Sequence, residues 1–600
     1  MRLSTLLCTA ALSLAATCVH AAVPAHYVVF EMDAQGRAEP VFYTQVQLND
    51  PQRDLRGRQP VERGIERVEY RISRNGAKSA QTFEAQVPQF LRAEFAADPE
   101  HGDGRIELHR PLRDPHRAFV VRVPLDAADA IELGGGAAKA AQRFDLRELA
   151  IRAAQLPLAA SARGAMPLAA PLSGDAQASA AKAANSGNRL DILVLGDGYT
   201  SAEQATFANH AAALKTALFN VSPYKDYQNF VNWQAGFVAS SQSGADHPPY
   251  QAGCTGTNCC ADTAARTDPR AGTFVNTALD ATFCTSQIHR LLTTRSSKVM
   301  AAAAGFPDWD KILVTVNDPV YGGAGGSYAT ISAHTSAALI AIHEFGHSFH
   351  GLADEYDSPY PGFPACSDLS GSAPCEANVT NQTNASLVKW RSWFTPGLPI
   401  PTPAGTSGTG LFQGARYLSS GMYRPVDNTC LMRALGNSFC PVCRQEYVLK
   451  LYRGGFGSPA AGIDLIEPGT EAPSPATAVS YARGTTKRFS ATLLQPSLGA
   501  VAVQWYLDGV AISGATAASY DFRQDAATPA TRTLELRVTD QTAFVKAAMA
   551  GNLLQHSRTW TIRVGAAPVA VAAPAAPVAA VPVEAAPLAT APMARLAVSP

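Results

Sequence analysis

The sequence predicts a multidomain protein of α/β and β class, with a central α/β unit flanked by an N-terminal β unit and a C-terminal β-sandwich. Three observations predict it. A chain of 600 residues exceeds what a single hydrophobic core organises. Short apolar runs bounded by turn residues fill both ends, whereas buried-strand runs alternate with helical periodicity between them. Two stretches dominated by Ala with Pro, and almost free of aromatic residues, interrupt the pattern.

Taken in order, the chain opens MRLSTLLCTAALSLAATCVHA: Arg2, an apolar stretch, then Val19-His20-Ala21. Residues 1–21 read as a Sec-type signal peptide, which places the mature chain in the periplasm or outside the cell. No later apolar run is long enough to span a bilayer without Pro or charge, so membrane insertion is not expected. Residues 22–153 carry HYVVFEM, RVEYRI, RIELHR and AFVVRVPL, with turns at Arg74-Asn75-Gly76 and His101-Gly102-Asp103-Gly104, as in an antiparallel β domain. Residues 154–187 are an Ala/Ser/Pro-rich linker.

The central unit spans 188–457. LDILVLG reads as a buried strand, and Thr200-x-x-Glu203 as a capping box opening a helix to about Leu218. KILVTV is a second buried strand, followed by the glycine-rich turn YGGAGG and another helix. A last helix starts with Pro441 in its first position and stops near Gly454-Gly455. Gly196-Asp197-Gly198 lacks the spacing of a phosphate loop and reads as a tight strand-to-helix turn. Residues 458–565 hold RFSATLL, AVAVQWYLDG, TLELRVTD and RTWTIRV, a run spacing that suggests an immunoglobulin-like sandwich without a cysteine pair. The Ala/Pro-rich residues 566–600 have no means to build a core and read as a disordered tail.

Lys plus Arg equals Asp plus Glu at 49 each, with no basic stripe, which argues against nucleic acid as a partner. Of the 11 cysteines, all but Cys8 and Cys18 fall between Cys254 and Cys443, and in an oxidising compartment most should be disulfides. Cys366 with Cys375 should close a local loop, and Cys440-x-x-Cys443 is expected to be a structural disulfide rather than a redox pair or half a zinc knuckle. Residues 22–253 contain no cysteine, so the N-terminal domain cannot hold a metal with a thiolate; it is expected to stay attached as an accessory domain.

The chemistry concentrates in HEFGHSFHGLADEY, residues 343–356. At about 100° per residue, His343, His347 and Glu344 share one helix face, while Ile342, Phe345 and Phe349 share the opposite one. Histidines at i and i+4 converge on one zinc, with the intervening Glu in reach of the water it activates. The third ligand has three candidates. His350 lies about 10 Å along a straight helix from His343, a poor placement for a tetrahedral ion. Gly351 is a helix stop that turns the chain back, which favours Asp354, with Glu355 as its competitor.

This motif resembles the signature of the IgA-peptidase-type secreted bacterial zinc metallopeptidases, which are zincin-like and metzincin-like. DILVLGDGYTSAE, VNDPVYGGAGG, MYRPVDNTCLMR and FCPVC resemble segments of the same family. The resemblance implies zinc as cofactor on His343, His347 and Asp354, Glu344 as the catalytic residue, and a methionine turn at Met432. It implies a metalloendopeptidase acting on proteins or peptides; immunoglobulin A as substrate follows from no residue. Tyr423, Arg424 and Tyr356 are candidate donors to the tetrahedral intermediate. The alternative reading is an exported binding or adhesion protein with a degenerate zincin domain, against which the complete set of ligands plus Glu344 stands.

Overall fold

The computed structural model describes residues 22–51, 54–55, 65–88, 90–96, 106–113, 117–159, 166–172, 186–326, 328–359, 363–370, 373–454, 462–526 and 530–565. The leader, the tail, most of the linker and the turn at 101–104 lie outside the described residues. Within them the chain is a mixed α/β and β-rich assembly of several sheets and few helices.

At the N-terminal end, β1 (Val23–Met32) is flanked by β2 (Ala38–Leu48) and β6 (Ala118–Pro124), both antiparallel. β3 (Ile65–Arg74) centres a second sheet. It turns back through Asn75 and Gly76, both at positive φ, which is the two-residue hairpin that Asn-Gly favours. β4 (Phe90–Ala96) and β5 (Ile106–Arg113) pair with each other as a separate hairpin. β1 does not alternate, because both of its faces are covered. Val28 and Phe30 join a core with Tyr70 and Phe119, while Tyr27 and Val29 pack against Met300, Ala301 and Ala304 of the central unit. Tyr27 Oη donates to the Met300 carbonyl at 2.7 Å, and Glu31 pairs with Arg295 at 3.0 Å.

The central sheet contains β7 (Leu190–Asp197), β8 (Val231–Phe237), β9 (Lys311–Val316), β10 (Gly323–Ala324) and β11 (Ala329–Ser332). Its order is Ala170–Pro171, β8, β7, β9, β11, β10. β7, β8, β9 and β11 are parallel, whereas β10 runs antiparallel to β11 at the edge. Every residue of β7 and β9 is buried, which accounts for their unbroken apolar reading. The Thr200/Glu203 capping box closes on a short 3₁₀ turn, Ser201–Glu203, and α1 (Gln204–Phe219) follows it. α2 (Ala337–Ser348) leaves β11 and packs on the sheet through Ile340 and Phe345. α3 (Pro441–Arg453) has Pro441 in its first turn and stops at Gly454, φ 71°.

The same core continues into the C-terminal end. There β12 (Val501–Leu507), β13 (Thr531–Asp540) and β14 (Gln555–Gly565) lie in one sheet, opposite a two-stranded sheet of Thr486–Ser490 and Ser519–Arg523. Trp505 and Trp560 stack at 5.5 Å between them. Asp540 accepts from Tyr227 and Tyr452, both at 2.7 Å, locking this end to the central unit. Among the described residues no helix is long and apolar enough to cross a membrane.

Disulfides join Cys254 to Cys259, Cys260 to Cys284 and Cys366 to Cys375. The bond expected between Cys440 and Cys443 is not formed: both are free thiols, as is Cys430. The reason is local. Cys443 Sγ sits 3.5 Å from Cys440 Sγ and 3.6 Å from Cys430 Sγ, non-bonded distances well beyond the roughly 2.05 Å of a disulfide.

Candidate metal centre and active site

α2 is apolar on the face that meets the sheet, and this holds His343, Glu344 and His347 in the interior at 0%, 2% and 6% exposure. The helix ends at Ser348. Gly351, at φ 69°, then turns the chain, donating to the His347 carbonyl at 3.0 Å while Leu352 donates to Gly346 at 3.1 Å. This turn returns Asp354 to the histidines. Its Oδ1 lies 3.2 Å from His343 Nε2 and 3.0 Å from His347 Nε2, and the two Nε2 atoms are 3.2 Å apart.

Both imidazoles are anchored on their other nitrogen. His343 Nδ1 meets the Leu431 carbonyl at 3.1 Å and His347 Nδ1 meets the Leu352 carbonyl at 2.7 Å. A carbonyl only accepts, so each Nδ1 carries the proton and each neutral ring presents a lone pair at Nε2. Two lone pairs and a carboxylate oxygen therefore converge in a buried space, an arrangement that fits a cation between them. Burial pushes the Asp354 carboxyl up. The adjacent His347 and His343 rings and the Arg92 guanidinium outweigh that and favour the carboxylate, well below its usual range.

Met432 lies under this group. A Cβ on Gly346 would sit 2.7 Å from Met432 Sδ, and the Met432 carbonyl accepts from the Glu355 amide at 2.9 Å. Tyr356 Oη is 3.2 Å from His343 Nε2. The other two candidate donors are placed differently. Arg424 is a brace, donating to the Gln413 and Gly414 carbonyls and to Asp427, and Tyr423 pairs through its backbone with Thr380. His350 falls beyond the last residue of α2, so the straight-helix projection does not apply to it. Its ring packs on Phe439 and Tyr447, and Nε2 meets Tyr224 Oη at 2.9 Å. Burial lowers its pKa to about 3. Glu355 turns to the opposite side, toward the three free cysteines.

Two contacts to Asp354 had no sequence signal. Tyr417 Oη donates to Asp354 Oδ2 from the two-residue turn Arg416-Tyr417, which joins Phe412–Ala415 to Leu418–Arg424. Both turn residues have positive φ, 53° and 61°, a conformation that costs non-glycine residues on the order of 1–3 kcal/mol each. The turn is pinned by Arg416 N–H to the Asp354 carbonyl (3.0 Å) and Tyr417 N–H to the Tyr356 carbonyl (2.9 Å). The second contact is Arg92 of β4, whose Nη1 lies 3.2 Å from Asp354 Oδ2.

Arg92 arrives as part of a strand. Its N–H donates to the Gly325 carbonyl at 2.9 Å and its carbonyl accepts from Gly325 N–H at 3.0 Å, an antiparallel bridge extending the edge at β10. Gly325 lies directly against a carboxylate of α2: any Cβ there would collide with Glu344. The glycine-rich turn thus lets an extended backbone run beside Glu344.

Residues 179–258 and 254–409 match the family model described as IgA Peptidase M64, a span that contains His343, Glu344, His347 and Asp354. Over residues 179–409 this match supports an IgA-peptidase-type metallopeptidase family. The M64 match ends before Tyr417, Met432 and the three free cysteines. No curated protein matches the chain. A solved structure described as a nucleoside hydrolase-related hypothetical protein from Saccharophagus degradans, associated with carbohydrate metabolism, is 13% identical. The alignment covers 66% of this chain and 98% of that one with a TM-score of 0.15, too low to carry an argument. The match supports a peptidase hydrolase, and the described residues include candidate metal-ligand groups.

Proposed function

We propose that this M64 chain is a secreted, zinc-dependent metalloendopeptidase that hydrolyses peptide bonds in extracellular proteins. The observation that carries the reading is the convergence of His343 Nε2, His347 Nε2 and Asp354 Oδ1 within 3.2 Å of one another, with both Nδ1 atoms engaged by carbonyls. A zinc ion held by these three would supply Lewis acidity for the attacking water and the scissile carbonyl. Glu344 takes the proton of that water at its carboxylate and returns it to the leaving nitrogen. Tyr356 Oη, beside His343, is the donor best placed for the developing oxyanion. An extended substrate pairs with the Gly325 backbone as Arg92 does, which aligns its peptide bonds beside Glu344. Met432 is the packed floor of the centre. Residues 458–565 we read as an immunoglobulin-like accessory unit.

The test is metal analysis of the purified chain together with hydrolysis of an unfolded protein. Bound zinc with hydrolysis that a chelator abolishes supports the reading. Bound zinc with an intact substrate would instead favour an exported binding protein.

A further inference from the structure

We propose that Cys430, Cys440, Cys443 and Glu355 form a second, structural zinc site, separate from the His343–His347–Asp354 group. Cys443 Sγ lies 3.6 Å from Cys430 Sγ, 3.5 Å from Cys440 Sγ and 3.7 Å from the Glu355 carboxylate. All four donor atoms fall within 4.8 Å of one another. A tetrahedral zinc with Zn–S of about 2.3 Å and Zn–O of about 2.0 Å has S–S edges of roughly 3.8 Å and S–O edges of roughly 3.5 Å. The cluster has the dimensions of that tetrahedron.

The surroundings agree. The four residues are at most 3% exposed, and Glu355 Oε2 is buried without a hydrogen-bond partner. Such a cluster has a cost in an apolar interior unless something uses its lone pairs. Asn378 Nδ2 donates to Glu355 Oε1 at 3.0 Å and fixes the carboxylate, as partners of metal ligands do. Cys440 is the N-cap of α3 and Cys443 lies in its first turn, where the helix end favours thiolates. C-x-x-C supplies two ligands at the spacing of structural zinc sites. A disulfide would use only two of three equivalent sulfurs and leave Glu355 unexplained. Zinc binding needs no oxidant: each thiol loses its proton to solvent as its sulfur binds the cation.

The experiment uses the full chain exported to an oxidising compartment and purified without chelator. Elemental analysis should find a second zinc equivalent, which Asp354→Ala leaves in place and Cys443→Ser removes. Replacement by cobalt should give a sulfur-to-cobalt charge-transfer band that survives in Asp354→Ala. Because that band arises only from thiolate ligands, its presence is independent of whether the histidine group binds metal. Intact mass and alkylation of the denatured, unreduced wild type serve if Cys443→Ser does not fold. Three alkylatable thiols after zinc release support the site. A fourth disulfide with one alkylatable thiol, or three thiols with neither zinc nor the cobalt band, overturns it.

Discussion

Arg92→Ser tests whether β4 occupies the track of the substrate. The serine keeps the backbone, so both hydrogen bonds to Gly325 remain, and the guanidinium contact to Asp354 is removed. A hydrogen bond to a charged group contributes about 1.5–3 kcal/mol. Arg92 is 22% exposed against 0% for Asp354, which discounts the figure to about 1–2 kcal/mol. If the hairpin and an extended peptide compete for one edge, that loss shifts the competition by roughly 5- to 30-fold. The expected result is a KM lowered by that factor with kcat little changed, read from steady-state hydrolysis of an extended fluorogenic peptide. Zinc content is measured alongside, since Asp354 also loses a counter-charge. A KM that stays the same or rises at equal zinc content would refute the shared track.

The other expectations concern the centre itself. Glu344→Gln should keep zinc and lose about 10²–10⁴-fold in hydrolysis, whereas Asp354→Ala should lose the metal and His350→Ala should retain it by elemental analysis. Tyr417→Phe removes only the hydroxyl on Asp354 and should weaken zinc about 10- to 100-fold in a chelator competition; an unchanged affinity would mean the strained turn serves another purpose. Met432→Leu conserves volume and should cost less than about 1.5 kcal/mol in denaturant unfolding, with zinc retained. His350, buried beside Tyr224 and Tyr447, has its pKa lowered by burial to about 3, against about 6.5 when unfolded. Its contribution to stability is therefore complete above about pH 6.5 and is lost progressively as pH falls toward 3, so His350→Gln should flatten the melting temperature over that window.

Elements written in local sequence were legible. Unbroken apolar runs named β7 and β9, Asn75-Gly76 named its hairpin, and Gly351 named the turn that returns Asp354. The i, i+4 histidines and Gly351 carried most of the proposed metal group for the same reason. What escaped was set by tertiary contact. Arg416-Tyr417 has none of the residues that usually form a primed hairpin turn, so the loop holding Tyr417 on Asp354 carried no mark. Arg92 reaches its partner across 262 positions of chain, which no window of sequence reports. The expected Cys440–Cys443 bond failed because spacing alone does not reveal that Cys430 and Glu355 share the pocket.

Asp354 and Glu355 are neighbours whose side chains point to opposite sides of one stretch of backbone, as in any extended segment. One carboxylate meets two imidazoles and the other meets three thiols, so a single peptide links the two clusters. The link is stiff. Glu355 N–H is tied to the Met432 carbonyl at 2.9 Å, the Asp354 carbonyl to Arg416, and Leu431, next to Met432, supplies the carbonyl that orients His343. Cys430 directly precedes Leu431 in the chain. Whatever fixes the cysteine cluster therefore also fixes the carbonyl that sets the tautomer of one histidine and the backbone that aims Asp354. Loosening the cysteines by mutation should therefore degrade the affinity of the proposed histidine site for zinc without touching any of its three donors.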